Sequence, residues 1–417
     1  MTASVMGGMA WNGARRLAQG ERPAMRELLL TPGNVKRIAD DLARMRGAAM
    51  KVGQLVSMDT GEMLPPELSE ILARLRNEAH FMPPKQLRDV LIAEWGRDWR
   101  QAFERFDVKP IAAASIGQVH RARLKSGDEV AVKVQYPGVA RSIDSDISNV
   151  GALLRMSGLV PKGFEIAPYL EEAKRQLHEE TDYLREGSQM QAFGKLLGDA
   201  PHFAVPKLHN ALTTRGILTM EYLPGDPIET AEQFGEEDRD RIGTDLIALL
   251  FRELFEFGLM QTDPNFANYR LDPKTRQIIL LDFGATRAFA PEITGLYRDL
   301  FRSGITRDAA GLDAAAEGIG FVAPDTAPEH RAQILKMIGM CFEDLGENAC
   351  FDFGNTDLSR RMNAEGEKLA ASGFVPPPVP MDVLYLQRKF GGTFLLVGRL
   401  RARVPVRALA EQWTAHS

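Results

Sequence analysis

Cysteine is nearly missing from this chain: two residues in 417, Cys341 and Cys350. A disulfide framework and a thiolate-held metal cluster are excluded, and a reducing compartment is expected. No stretch approaches the ~20 uninterrupted apolar residues of a membrane-spanning helix; the apolar run Thr393 to Val397 is far too short. A basic excess is lacking too, with 51 Lys and Arg against 56 Asp and Glu for a net charge of −5, so no nucleic-acid partner is expected. There is no internal repeat and no long low-complexity segment. The opening residues carry no apolar core of a secretory signal, which points to a cytoplasmic protein. Seven histidines are scattered, and no pair has a convincing zinc spacing with a carboxylate partner.

What is present is ordinary soluble material, 44% hydrophobic and 26% charged. Between residues 34 and 58, Val35, Ile38, Leu42, Met45, Ala49, Val52 and Val56 recur at the spacing of an amphipathic helix. A second helical stretch, Glu67 to Arg76, follows turn signals at Gly61 and Pro65–Pro66. From about Phe106 two β runs flank the turn Ser126-Gly127-Asp128. A long helix is predicted from Ile166 to Gly194, then β runs at His202–Leu208 and Gly216–Tyr222. Residues 230–310 read as mainly helical, interrupted by a loop at Gln261–Asn268 and a buried strand at Ile278–Gly284. A helical C-terminal region is broken by the linker Pro376-Pro377-Pro378-Val379-Pro380. The expected division is 1–105, 106–225 and 226–417.

Four motifs occur in a fixed order. Ala112-x-Ala114-x-x-Gly117-x-Val119 has the spacing of a kinase phosphate loop with two glycines replaced by alanine. Small residues there, Ser115 included, let backbone N–H groups approach phosphate oxygens. Val130-Ala131-Val132-Lys133 ends the next strand in a lysine suited to α/β-phosphates and to a helical carboxylate among Glu180, Asp182 and Glu186. Asp263 and Asn268 are five apart, the spacing by which an aspartate orients a nucleophile and an asparagine holds a metal ion. Leu281-Asp282-Phe283-Gly284 closes a buried strand with a second magnesium ligand, Asp282, after a hairpin predicted between Asn268 and Asp282. Each motif alone is weak: an alanine-rich turn, a snorkelling lysine, a solvated acidic face or a polar loop would look the same. Their order is what specifies an ATP- and Mg2+-binding site. Glu221 and Leu223, at a strand end before Pro224-Gly225, are placed to offer backbone groups to an adenine edge.

With MRGAAMKVGQLVSMD, AAASIGQVHRA, VAVKVQYPG, EETDYLREG, DPNFAN and LLDFGA spread from Met45 to Ala285, the chain resembles the UbiB/AarF family of atypical, protein-kinase-like proteins. The resemblance implies an α+β, bilobal protein-kinase-like fold with an N-terminal helical extension and a helical C-terminal region. It places Lys51 and Gln54 on the family's K-x-G-Q motif and Glu180 and Asp182 on its E-x-D motif. These regulatory elements fill the place of a peptide substrate, with Lys51 pairing Glu180 or Asp182 and Glu186 partnering Lys133. The resemblance further implies ATP-dependent, ATPase-like or unorthodox kinase activity in isoprenoid-quinone (ubiquinone) biosynthesis at a membrane surface. The usual catalytic loop H-x-D-P-H-P-G-N reads QTDPNFAN here, without either histidine or the glycine, while the Asp and Asn are kept.

The expected function is therefore an ATP- and magnesium-dependent atypical kinase or ATPase of quinone or related lipid metabolism. Two alternatives stay open: a nucleotide-binding pseudokinase scaffold for a membrane lipid pathway, and a small-molecule phosphotransferase. The expected partners are nucleotide and a lipid or quinone-pathway ligand. Six basic residues after Met381 (Arg388, Lys389, Arg399, Arg401, Arg403, Arg407) fit either a peripheral contact with the inner membrane face or a helical pair packed on the large lobe.

Overall fold

A computed structural model describes residues 45–60, 81–157, 165–198, 200–347 and 349–414. The predicted helix Glu67 to Arg76, and the stripe positions Val35, Ile38 and Leu42, lie outside these residues. The elements, in chain order, are α1 (Arg46–Thr60), α2 (Pro84–Trp95), β1 (Phe103–Phe106), β2 (Ala112–Ala113), β3 (Gly117–Leu124), β4 (Glu129–Gln135), α3 (Val139–Ser157), α4 (Ala167–Glu180) and α5 (Tyr183–Leu197). Then come β5 (Phe203–Ala204), β6 (Ile217–Glu221), β7 (Asp226–Pro227), α6 (Glu236–Arg252), β8 (Leu259–Gln261), β9 (Tyr269–Leu271), β10 (Ile278–Leu280) and β11 (Thr286–Ala288). The C-terminal part holds α7 (Pro291–Thr306), α8 (Ala309–Ile319), α9 (Pro328–Glu347), β12 (Phe351–Asp352), α10 (Leu358–Ala371), α11 (Met381–Leu400), β13 (Arg403–Val404) and α12 (Val406–Thr414). The described residues form two compact units, one of those up to Gln191 together with 207–222, the other of those in 192–206 and from Leu223 onward.

In the first unit, strands run in the order β1-β3-β4-β6, all antiparallel, with β2 beside β3. Alternation along β4 sends Val130, Val132 and Val134 to one face and Ala131, Lys133 and Gln135 to the other. The valine face joins a core with Trp99, Phe103, Leu87 and Leu91. Rings of Trp95, Trp99, Phe103 and Phe106 meet there at centroid distances of 5.2–6.2 Å. On the other face, Gln135 donates to the Thr181 carbonyl at 2.8 Å. Ala48, Ala49, Val52 and Leu55 bury the apolar side of α1, which packs on α3 and α4.

Three local readings are corrected. The single helix from Ile166 to Gly194 is two helices, because Asp182 accepts from the N–H groups of Leu184 and Arg185 and so starts a new one. A helix over 139–157 was not predicted; its Ser- and Asp-rich composition lowers intrinsic propensity, yet Ile143, Ile147, Val150 and Leu154 make a buried stripe. Moreover, Phe203–Ala204 does not join the first sheet. It pairs in parallel with Ile278–Ile279 in the second unit.

The second unit centres on α6, α7, α11 and α12, with the four-stranded sheet β5-β10-β9-β7 and the short pair β8-β11 beside them. The helix α6 runs on into a π-helical turn at Glu253–Phe257, closed by Gly258 at φ +60°. Among the described residues no helix is long and apolar enough to cross a membrane.

Candidate active site

The first unit supplies a buried ion pair. Lys133 Nζ lies 2.8 and 3.0 Å from the two carboxylate oxygens of Glu186, with side-chain exposures of 9% and 2%. Strand register carries Lys133 opposite Val119 and Leu218. Glu186 sits in the first turn of α5, where the helix dipole favours a carboxylate. The Tyr183 ring lies 5.1 Å from the ammonium. The expected partnership of these two residues is present in the fold.

The alanine-rich segment is a tight hairpin rather than a helix. Ala112 pairs with Val119 across β2 and β3, and Ala114 N–H donates to the Gly117 carbonyl at 2.8 Å. Gly117 is fixed by packing: a Cβ there would stand 2.3 Å from the Val134 carbonyl oxygen. Ser115, at the hairpin tip, donates to Glu180 Oε2 at 3.2 Å. The other oxygen of Glu180 pairs with Lys51, which is buried on α1. Glu180 thus ties the K-x-G-Q helix to the hairpin, and of the two candidate partners for Lys51 it is the one used. Gln54 stands one turn along α1, half-buried. Asp182 instead caps α5 and pairs with Arg215 at 3.0 Å. Partial burial opposes its charge, but the Arg185 N–H, the Arg215 guanidinium and the Leu184 N–H outweigh that and hold its carboxyl below the usual range.

The distinctive Gly-Gln-Val-His run is a buried polar relay. Met82 N–H donates to Gln118 Oε1 at 2.7 Å, Gln118 Nε2 meets His120 Nε2 at 2.8 Å, and His120 Nδ1 meets the Asp107 carbonyl at 2.8 Å. Burial holds the His120 pKa below its ordinary value, against the pull of Asp107. Glu221 closes β6, and its N–H is committed to the Lys207 carbonyl at 2.8 Å. Leu223 follows where the chain passes into the second unit.

In the second unit, β9 and β10 pair with Tyr269 opposite Leu280, and Leu281 N–H donates to the Asn268 carbonyl at 3.0 Å. Asn268 and Asp282 therefore stand together at the open end of one hairpin. Asn268 Nδ2 donates to the Asp263 carbonyl at 3.1 Å and to Asp263 Oδ2 at 3.2 Å, which turns its amide oxygen away from Asp263. Asp282 Oδ1 accepts from Gly284 N–H at 3.0 Å. An amide oxygen beside a carboxylate is the hard-oxygen chemistry that magnesium takes, so these residues fit the ion.

Several site residues were missed from sequence. Arg388 on α11 reaches Asp263 Oδ1 at 2.6 Å. Its neighbour Lys389 is buried, 3.1 Å from Glu253 Oε2 and 3.1 Å from the Tyr269 hydroxyl. Burial opposes charge on Lys389, but the Glu253 carboxylate and Tyr269 outweigh it and keep the ammonium protonated. Gln261, two residues before Asp263, is buried, and neither of its amide atoms has a partner among the described residues. The sequence shows an Arg-Lys pair in the middle of a mainly apolar helix, but not which acids it meets. These contacts also bear on the membrane expectation: Arg399, Arg403 and Arg407 pair with Glu232, Glu236 and Glu411. Five of the six tail cations thus engage acids of their own unit.

Comparison with known proteins agrees. Residues 74–316 match the ABC1 atypical kinase-like domain. The chain is 37% identical over 407 residues to "Atypical kinase COQ8, mitochondrial" of Saccharomyces cerevisiae, covering 97% of this chain and 81% of the relative. It is 38% identical over 380 residues to "Atypical kinase COQ8B, mitochondrial" of Rattus norvegicus, covering 91% and 72%. Among solved structures, the Rv3197–erythromycin complex from Mycobacterium tuberculosis aligns with a TM-score of 0.63 at 26% identity, over 90% of this chain and 95% of that one.

Proposed function

Because the chain belongs to the ABC1 atypical kinase-like family, we propose that it is an ATP- and magnesium-dependent atypical kinase or ATPase acting in isoprenoid-quinone metabolism. The observation that carries this reading is the hairpin end where Asp263, Asn268 and Asp282 converge. Lys133, aligned by Glu186, takes the α/β-phosphates, while Asn268 and Asp282 take magnesium. Bound magnesium supplies charge neutralisation on the phosphates. The hairpin of Ala112, Ala114, Ser115, Gly117 and Val119 would cover the phosphates, and the Glu221 carbonyl and Leu223 would meet the adenine. Lys51, Gln54, Glu180 and Asp182 regulate access to the terminal phosphate: the Lys51–Glu180–Ser115 chain holds α1 against the hairpin.

Asp263 orients the attacking hydroxyl or water. Its Oδ1 is engaged by Arg388 and its Oδ2 by Asn268, an occupied carboxylate that suits slow ATP hydrolysis better than rapid transfer to a free acceptor. The same occupancy is what favours the scaffold alternative. A quinone-pathway ligand and a site of action in the cytoplasm, at the inner membrane face, complete the reading; the relatives named above are mitochondrial.

The test is thermal stabilisation by ATP and ADP with and without magnesium, for the wild type and Asp282→Asn. A magnesium-dependent rise of a few degrees, lost in the variant, is the expected result; no shift at millimolar nucleotide overturns the reading. Asp263→Asn then separates enzyme from scaffold: phosphate release should fall at least a hundredfold while magnesium-nucleotide stabilisation stays.

A further inference from the structure

The first unit contains a cavity of about 580 Å3, walled by α1, α3, α4, the start of α2 and the hairpin tip. Ile116, Ile143 and Leu177 give it apolar sides, and the rings of Phe81 and Tyr136 line it as well. The volume lies within the ~300–1,000 Å3 of small-molecule sites, which pair apolar walls with a few placed polar groups. Among the described residues a single Asp, Glu, Lys, Arg or His lines it: Asp146.

Helical geometry turns Asp146 to this wall. Val139, Ser142, Ile143 and Asp146 recur at i, i+3, i+4 and i+7 along α3, which is one face of a helix, and all four line the cavity. Asp146 is half-buried, and its carboxylate has no hydrogen-bond or ion-pair partner among the described residues. The basic side chains of α4 are engaged elsewhere. Lys174 and His178 meet Asp144 Oδ1 at 3.2 and 3.0 Å, and Arg175 meets Glu172 and Glu179. A carboxylate drawn partly out of water is costly without a counter-charge.

The lining chooses among ligand classes. An anion would be repelled by Asp146. A neutral ligand would exclude water from the carboxylate and leave it unpaired. A bare metal ion such as magnesium or calcium wants about six oxygen ligands, which apolar walls do not supply. A nitrogen cation with an apolar body suits every wall, because aromatic faces also attract alkylated ammonium groups. Phe81 presents such a face, 51% exposed.

We propose that this cavity binds a small organic ammonium, its charge held by Asp146 and the rings of Phe81 and Tyr136, its apolar body lying along Ile116, Ile143 and Leu177. Gly47 and Ala48 of α1 and Ser115 of the hairpin tip also line the cavity, whereas Lys133 and Glu186 do not. The occupant therefore touches both elements that the Lys51–Glu180–Ser115 chain joins.

The test uses the full chain and two probes of equal bulk, benzyltrimethylammonium and its uncharged carbon isostere neopentylbenzene. Ligand-observed NMR titration should show the cation binding roughly tenfold tighter, although the hydrocarbon is the more readily expelled from water. Asp146→Asn keeps the shape and removes the charge; it should weaken the cation roughly tenfold and leave the hydrocarbon unaffected. Phe81→Leu is the second variant, at a half-exposed position where folding is indifferent to the change, and it decides the matter if Asp146→Asn fails to fold. It should weaken the cation about threefold more than the hydrocarbon. Equal or weaker binding of the cation, cation binding indifferent to both variants, or no binding of either probe would each overturn the proposal and leave Asp146 a solvated carboxylate beside a packing void.

Discussion

At the scale of single residues, buried charge sets the outcome. Glu186 places a carboxylate within 3.0 Å of an ammonium almost sealed from water. Replacing one partner of such a pair typically costs ~3–5 kcal/mol. Glu186→Gln should therefore lower stability by about that amount in urea unfolding, with magnesium-ATP affinity falling alongside. Asp182 gives a milder and pH-dependent case. Asp182→Ala removes a helix cap worth ~1 kcal/mol, and its folded pKa lies below the ordinary aspartate value of 3.8. A depressed carboxylate contributes its stability above the unfolded pKa and loses it as pH falls through the folded value. The gap between wild type and Asp182→Ala should be full at pH 7 and shrink below pH 4 in thermal scans across pH.

At the scale of elements, the alanine-rich hairpin separates packing from ligand contact. Because the Val134 carbonyl stands where a Gly117 side chain would go, Gly117→Ala should cost about 2 kcal/mol in the ligand-free protein, the scale of overpacking. Equal stability of variant and wild type in chemical denaturation would show that the strands separate freely. Much of this architecture was legible. Strand β4 announced itself by alternation, and the hairpin between Asn268 and Asp282 by a loop followed by a buried apolar run. Helix breaks were less so. The boundary at Thr181–Asp182 depends on a carboxylate turning back onto two N–H groups, and helical periodicity continues across it. Strand partnership was illegible as well: Phe203–Ala204 is adjacent in sequence to one sheet and hydrogen-bonded to another, because two-residue strands carry no pattern that specifies register.

At the scale of the whole molecule, the N-terminal and C-terminal helices complete what the kinase-like motifs begin. Lys51 comes from α1 and Arg388 from α11, each meeting an acid of its own unit far away in sequence. The motifs could be read because their spacing is local; Arg388 and Lys389 could not, because no local pattern marks which carboxylate a helical cation will find. Lys389→Met should destabilise the second unit by ~3–5 kcal/mol, since Glu253, whose carboxyl burial already holds above its ordinary range, loses its ammonium and must take up a proton. It should also weaken phosphate release more than nucleotide affinity, by letting α11 shift beneath the Asp263 loop. Equal losses in both would mean that α11 only adds bulk.

The 125 residues between Asp263 and Arg388 also set a schedule for biosynthesis. On a ribosome adding ~5–20 residues each second, the loop emerges roughly 6–25 s before the arginine that holds its aspartate. Until then Asp263 lacks that restraint.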